Sequence, residues 1–224
     1  MTQAREILDF LKDLAANNDR EWFAENKVRY TSAMDALKET VDRLIGELQT
    51  FDGDLAYLQA KDCVYRIYRD IRFSPDKSPY KRHMAAYMSR GGRKSIRTGY
   101  YLHLQPNGES LLAGGLYCVD SKMVKAARKA ISDNAEEFLE IVNDASFSDT
   151  FEVMGEKLKR MPLGFDADSP VAEFVKHKDF SICKRLPDDF FDRAEWESEA
   201  VELFRRMKRY NDFMNSALDE YYNV

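Results

Sequence analysis

Cysteine and histidine are scarce in this chain of 224 residues, and neither is arranged as a recognisable site. The three cysteines, Cys63, Cys118 and Cys183, are far apart and form no CxxC pair. Their odd number argues against a disulfide framework. The three histidines show neither HxH nor HExxH spacing, so no zinc site is predicted. We expect no metal, and the sequence leaves any cofactor unspecified.

Long apolar runs are also missing. No run approaches the roughly 18 residues that would span a bilayer. The N-terminal sequence MTQAREILDF lacks the basic region and apolar run of a signal peptide. Hydrophobic residues make up 44% of the chain, which is enough for a folded core. We therefore expect a soluble, cytoplasmic protein with no membrane partner, whose oligomeric state the sequence leaves open.

The motifs of several large enzyme classes are absent. The chain contains no GxxxxGK[ST] loop, no GxGxxG fingerprint, no GxSxG elbow and no EF-hand spacing. These absences argue against P-loop nucleotide hydrolases, Rossmann-type enzymes and serine hydrolases. They do not exclude a less stereotyped enzyme. No nucleophile–base pair occurs at a familiar spacing either, so the sequence leaves open whether the chain is an enzyme.

Hydrophobic periodicity predicts an α+β fold. Apolar residues three and four apart predict helices over residues 2–16, 18–49 and 192–221, with Asn18 and Glu21 as a capping box for the second. Alternating patterns predict strands, and Pro106-Asn107-Gly108-Glu109 predicts a hairpin turn. We predict a mainly antiparallel sheet of about 4–5 strands, flanked by N-terminal and C-terminal helices, in one domain over residues 1–224. The predicted strands are 64–73, 84–89, 99–105, 110–119 and 179–186.

The charge is distributed unevenly. Residues 61–97 contain eleven Lys and Arg against three Asp and no Glu, a net charge of +8. Because the whole chain carries −5, the remainder carries −13. A positive region in an acidic protein can steer an anion. It can equally pair with the acidic helices.

Residues 66–81, here called the cationic segment, are the best candidate for a site. Arginine forks bind phosphate or carboxylate through two parallel hydrogen bonds, and lysine adds a mobile charge. In the predicted strand, Arg66 and Arg72 share one row, whereas Arg69 interrupts the apolar row and needs a partner in a structural ion pair. Gly114-Gly115 indicates a bulge or a close backbone approach to a ligand. The predicted ligand-binding residues are Arg66, Asp70, Arg72, Asp76, Lys77, Tyr80, Lys81, Gly114 and Gly115, with Asn18, Arg20 and Trp22 as a pocket wall.

Two other functions compete with a small anionic ligand. Basic residues interleaved with aromatics are typical of single-strand nucleic-acid binding, although the pI near 5.4 and the absence of an RNP-type motif argue against it. A protein-interaction role would use the amphipathic C-terminal helix. If the chain is a protein-interaction module, the cationic segment would be a structural ion-pair network.

Four stretches carry a resemblance to a known family. These are NNDREWF (17–23), YRDIRFSPDKSPYK (68–81), AGGLY (113–117) and LKRMPLGFDADSP (158–170). Together they resemble the domain of unknown function 2461 family, and they span nearly the whole chain. The resemblance implies a single α+β domain and a cytosolic protein. It implies no activity and no catalytic residues.

Overall fold

The computed structural model describes the backbone of residues 2–222 and the side chains of residues 2–220. A four-stranded antiparallel sheet is combined with helices at both ends of the described chain, which confirms the predicted α+β class. The strands are adjacent in chain order: β1 (Met84–Met88), β2 (Tyr100–Leu104), β3 (Ser110–Leu116) and β4 (Phe180–Leu186).

The helices of the described residues include four of thirteen residues or more. These are α1 (Gln3–Ala16), α3 (Lys27–Leu48), α5 (Ser121–Asp133) and α9 (Trp196–Tyr222). The shorter helices are α2 (Arg20–Glu25), α4 (Ala60–Cys63), α6 (Ala135–Asn143), α7 (Ala145–Ser148) and α8 (Ala172–Val175), with 3-10 turns at Gly53–Leu55, Gly92–Lys94 and Asp188–Asp192. None of the described helices is both long and apolar enough to cross a membrane.

Residue contacts divide the chain into two compact units. The first contains the chain up to Lys94, Tyr101–Leu112 and Arg185–Glu202. The second contains Ser95–Tyr100, Ala113–Lys184 and the chain from Leu203 onward. The single domain expected from the sequence stays a prediction.

The core of the first unit is built where α1 packs against α3. Apolar residues at helical spacing place one stripe of each helix inward. The stripe of α1 includes Ile7, Leu11 and Leu14, and that of α3 includes Leu37 and Leu44; all are buried. In the second unit, α6 contributes Phe138, whose ring lies 5.1 Å from Phe174 and 5.4 Å from Phe213.

The predicted helix over residues 18–49 is interrupted, and Asn18 is not its cap. The chain forms α2 and then α3, with Asn26 between them. The cap of α2 is Asp19, whose Oδ1 accepts a hydrogen bond from the backbone N–H of Trp22 at 2.9 Å. Asn18 cannot serve as the cap because both ends of its amide bind the backbone of Tyr80.

The predicted strand over residues 64–73 is wrong as a regular strand. The chain there pairs only at two isolated antiparallel bridges, Val64 with Ala86 and Tyr68 with Tyr80, and it bends at residues 67, 72 and 73. Pro79 interrupts the pairing because it has no N–H to donate, although its carbonyl accepts from Arg69. The expected apolar row also fails at its end, since Phe73 is 93% exposed. The other four predicted strands are present with small changes at their ends.

The predicted hairpin joins β2 to β3. Asn107 and Gly108 both have positive φ, 68° and 72°, as a tight hairpin turn requires. The backbone N–H groups of these two residues donate to the carboxylate of Asp188 at 2.9 and 2.8 Å. A side chain from another segment of the same unit thus fixes the turn.

Candidate functional site

Arg69 organises the loop of the cationic segment. Its Nη1 donates to Asp76 Oδ2 at 2.7 Å and to the carbonyl and hydroxyl of Ser78, at 3.0 and 2.8 Å. Its Nη2 donates to Ser74 Oγ at 3.2 Å. The Arg69 side chain is only 24% exposed, so these bonds also satisfy a largely covered charge. The hydrogen bonds of this one guanidinium therefore hold the loop over residues 69–78 together.

Asp76 completes this arrangement from the other side. It accepts hydrogen bonds from the hydroxyl and the backbone N–H of Ser78 as well as from Arg69. These bonds, with those from Ser78 contributing most, hold the pKa of the Asp76 carboxyl well below its usual range. The carboxylate is consequently a fixed anion and a poor proton acceptor near neutral pH.

Arg72 and Asp70 form a separate local pair. Arg72 Nη2 lies 2.6 Å from Asp70 Oδ2, and Arg72 Nε lies 3.0 Å from Asp70 Oδ1. The hydrogen bonds from Arg72 lower the pKa of the Asp70 carboxyl. The Arg72 side chain is nevertheless 76% exposed. Its guanidinium also lies 5.8 Å from the centre of the Phe73 ring.

An open cleft of about 510 Å³ lies between this loop and the junction of α1 with α2. Lys77 and Arg20, which the sequence predicted as ligand-binding and pocket-wall residues, line the same cleft. The Lys77 ammonium donates to the carbonyl of Ile71 at 3.0 Å. The lining residues are Asn18, Asp19, Arg20, Ile71, Lys77, Ser78 and Pro79.

Asn18 joins the two sides of the cleft. Its Oδ1 accepts from the Tyr80 backbone N–H at 3.1 Å, and its Nδ2 donates to the Tyr80 carbonyl at 3.0 Å. The Tyr80 ring is buried and stacks on Phe23 of α2 with centroids 3.9 Å apart. Burial raises the pKa of the Tyr80 hydroxyl. Trp22, the third predicted wall residue, does not line the cleft; it stacks on Phe10 at 6.2 Å.

Neither Arg66 nor Lys81 lines the cleft, and their two charges influence each other. Burial, followed by the charge of Arg66, lowers the pKa of the Lys81 ammonium. That ammonium lies 5.4 Å from the centre of the Tyr65 ring. The five cations predicted from this segment are therefore not gathered in one place. Arg69 and Arg72 bind carboxylates, Lys77 lines the cleft, and Arg66 and Lys81 form a second group.

The second group includes two histidines that the sequence did not single out. The rings of His83 and His103 stack with centroids 4.2 Å apart. Burial, then His103 and then Lys81, lower the pKa of the His83 imidazole to about 4. The only sequence signal was the alternation of β2, which places His103 on the less buried face with Tyr101.

Gly114 and Gly115 lie in the second unit, within β3. Gly115 has φ +75°, and a Cβ there would lie 2.2 Å from the carbonyl oxygen of Phe180. Its backbone N–H donates to Asn211 Oδ1 at 2.8 Å, and a Cβ at Gly114 would lie 3.0 Å from the same oxygen. These contacts account for both glycines by packing, and their ligand-binding role stays a prediction.

Over the described residues, no group of three or more His, Cys, Asp or Glu side chains is arranged to hold a metal ion. The acidic side chains of the cationic segment are instead bound by Arg69, Arg72 and Ser78. What the segment offers is a set of hydrogen-bond donors and positive charges, which suits an anion.

The chain matches the model of one protein family. A family model described as conserved hypothetical protein (DUF2461) matches residues 6–213, nearly the whole chain. The chain belongs to this family, as the four motifs indicated. No curated protein and no solved structure gave a match. The family description assigns no activity.

Proposed function

We propose that the cleft beside α2 binds a small anionic ligand through its phosphate or carboxylate group. The observation that carries the proposal is the position of Arg20 and Lys77. They come from separate segments, yet they line the same cleft. Among the described residues, no carboxylate oxygen lies within 4.0 Å of a side-chain nitrogen of either residue, so neither forms an ion pair. Two cations with no anionic partner, facing one open volume, favour an oxyanion.

The walls of the cleft are fixed before any ligand binds. The Arg69–Asp76–Ser78 bonds hold the backbone on both sides of Lys77. The two Asn18–Tyr80 bonds connect the opposite wall to the chain just after the loop. Such preorganisation lowers the entropy lost on binding. One carboxylate, Asp19, also lines the cleft, but one of its oxygens already caps α2.

Binding rather than covalent catalysis is the function that these contacts support. The Ser78 hydroxyl donates to Asp76, which would be its base. Because the pKa of Asp76 is held far below neutrality by Ser78 and Arg69, this carboxylate would activate the hydroxyl poorly. The proposal therefore names Arg20 and Lys77 as binding residues and assigns no nucleophile.

The test is thermal unfolding against inorganic phosphate, nucleotides, sugar phosphates and carboxylic acids at constant ionic strength. A ligand at 100 times its dissociation constant adds about 2.7 kcal/mol, which raises Tm by about 5–10 °C. Lys77→Gln and Arg20→Gln should each weaken binding about tenfold, as expected for loss of a charged hydrogen bond.

Lys12→Gln is the matched control, because it removes an exposed charge from α1 in the same unit but outside the cleft. It should leave the affinity unchanged. The proposal fails if no compound shifts Tm at millimolar concentration, or if Lys12→Gln weakens binding as much as Lys77→Gln does.

A second candidate, single-stranded nucleic acid, has one observation in its favour. Phe73 is 93% exposed, and the Arg72 guanidinium lies beside it. An exposed ring next to a cation can stack a base and bind its phosphate. The discriminating measurement is a salt series of fluorescence anisotropy with single-stranded DNA and RNA. Binding that strengthens at low salt and is lost in Phe73→Ala would favour this candidate; no binding at low salt would eliminate it.

A further inference from the structure

A group of polar side chains on the first unit, outside the cleft, remains without a role. It comprises His83, whose ring stacks on His103, and Lys81, whose ammonium lies 5.4 Å from the centre of the Tyr65 ring. The Tyr65 ring lies 6.4 Å from that of Tyr101, whose hydroxyl bonds His103, so these side chains form one cluster. Neither ring nitrogen of His83 has a hydrogen-bond partner among the described residues. The His83 side chain is only partly buried. His83 is thus open to a ligand.

The hydrogen bonds of His103 to Gln105 and Tyr101 select one tautomer of its neutral ring. Its Nε2 lies 3.1 Å from Gln105 Oε1, and its Nδ1 lies 3.0 Å from the Tyr101 hydroxyl. Because an amide oxygen only accepts, Nε2 carries the proton and Nδ1 accepts from the tyrosine. This neutral ring covers one face of His83, so ligands approach His83 at its edge nitrogens.

His83 also stays neutral near pH 7. Burial, His103 and Lys81 lower its pKa to about 4. Around His103 the charged groups are Glu109, Arg185 and Lys81, of which Glu109 and Arg185 pair with each other at 2.7 Å. A neutral imidazole with free nitrogens offers one donor and one acceptor. Lys81 offers a positive charge with no carboxylate partner among the described residues.

We propose that Lys81 and His83 form a second binding site, for an oxyanion that still carries a proton near neutral pH, such as hydrogen phosphate. The ammonium of Lys81 binds the negative oxygens, and the unprotonated nitrogen of His83 accepts the acidic P–O–H. A fully deprotonated anion such as sulfate has no proton for that nitrogen. The site therefore prefers hydrogen phosphate to sulfate, whereas the donors of the Arg20–Lys77 cleft do not require that proton.

The test follows the imidazole nitrogens of the full-length, ¹⁵N-labelled protein by NMR during titration with inorganic phosphate and, separately, sulfate at pH 6.5. Phosphate should shift the His83 signals saturably and bind about three- to tenfold more tightly than sulfate, the ratio expected for one hydrogen bond. Lys81→Met, which keeps the apolar stem beside Tyr65, should abolish the His83 response.

Lys77→Gln separates this site from the cleft. It should leave the His83 response intact, so the two proposals can fail independently. The second site is overturned if millimolar phosphate leaves the His83 nitrogens unmoved. It is also overturned if sulfate shifts them equally, or if the response survives in Lys81→Met. Should Lys81→Met not fold, the phosphate–sulfate comparison on the unmodified protein still decides the question.

Discussion

The guanidinium of Arg69 donates to the carboxylate of Asp76 at 2.7 Å, and this bond closes the loop that carries Lys77. Arg69 thereby differs from Arg72, whose partner Asp70 is two residues away and whose side chain is mostly exposed. Arg69 therefore holds the loop in place, whereas Arg72 forms only a local ion pair at the surface. This difference can be tested by substitution.

Arg69→Met should loosen the loop over residues 69–78. It removes four hydrogen bonds from a largely covered guanidinium, so we expect the free energy of unfolding to fall by about 1–2 kcal/mol. Limited proteolysis should then cut the loop faster. Arg72→Met is the control and should change neither quantity, because exposed ion pairs contribute little. Equal effects of the two substitutions would contradict the role given to Arg69.

Asn18→Ala should destabilise the protein because it leaves both backbone groups of the buried Tyr80 without these partners. We expect a loss of about 2 kcal/mol in denaturant unfolding. Asn17→Ala is the matched control, since the exposed Asn17 side chain donates only to Asp13 within its own helix end. If both variants were equally stable, Asn18 would not connect the two sides of the cleft.

Gly115→Ala should be strongly destabilising, by about 3 kcal/mol or more, because the new Cβ would overlap the Phe180 carbonyl at positive φ. Gly108→Ala is the control that measures the cost of positive φ alone. Gly108 also has positive φ, but a Cβ there would have nothing within 4 Å. We expect it to cost about 1 kcal/mol. Chemical denaturation of both variants measures the difference. A Gly115→Ala protein of normal stability would reopen the ligand-binding role of this glycine.

The low pKa of His83 predicts a loss of stability in acid. Its value of about 4 in the folded protein lies below the ordinary 6.5, so the unfolded chain binds more protons between these two pH values. The contribution of His83 is present above pH 6.5 and is lost as the pH falls toward 4. His83→Gln should flatten the stability–pH curve in that window. A direct NMR titration of His83 with a midpoint near 6.5 would contradict the expectation.

The sequence predicted the elements whose residues repeat a regular pattern. The apolar stripes of α1 and α9, the alternation of β2 and the Asn107-Gly108 turn each produce a local signal that tertiary contacts then reinforce. The cap of α2 was assigned one residue too early, because Asn18 and Asp19 are both good caps. Only the distant Tyr80 decides that Asn18 is used elsewhere.

The site was only partly predictable for a similar reason. Alternation over residues 64–73 predicts a strand, but it does not show whether a partner strand pairs with it throughout, and the structure has only two isolated bridges there. The stacking of His83 on His103 depends on two residues twenty positions apart with no spacing signature. By contrast, the sequence predicts both Lys77 as a ligand-binding residue and Arg20 as a pocket-wall residue, because both are cations in candidate segments. In the structure they line the same cleft.

The most direct measurement is the anomalous X-ray difference density of crystals soaked in selenate, a tetrahedral oxyanion with a strong anomalous signal. The account predicts a peak within hydrogen-bonding distance of both the Lys77 ammonium and the Arg20 guanidinium, and its loss in crystals of Lys77→Gln. Peaks confined to other surfaces, with the Arg20–Lys77 cleft empty at saturating selenate, would contradict the proposed anion site.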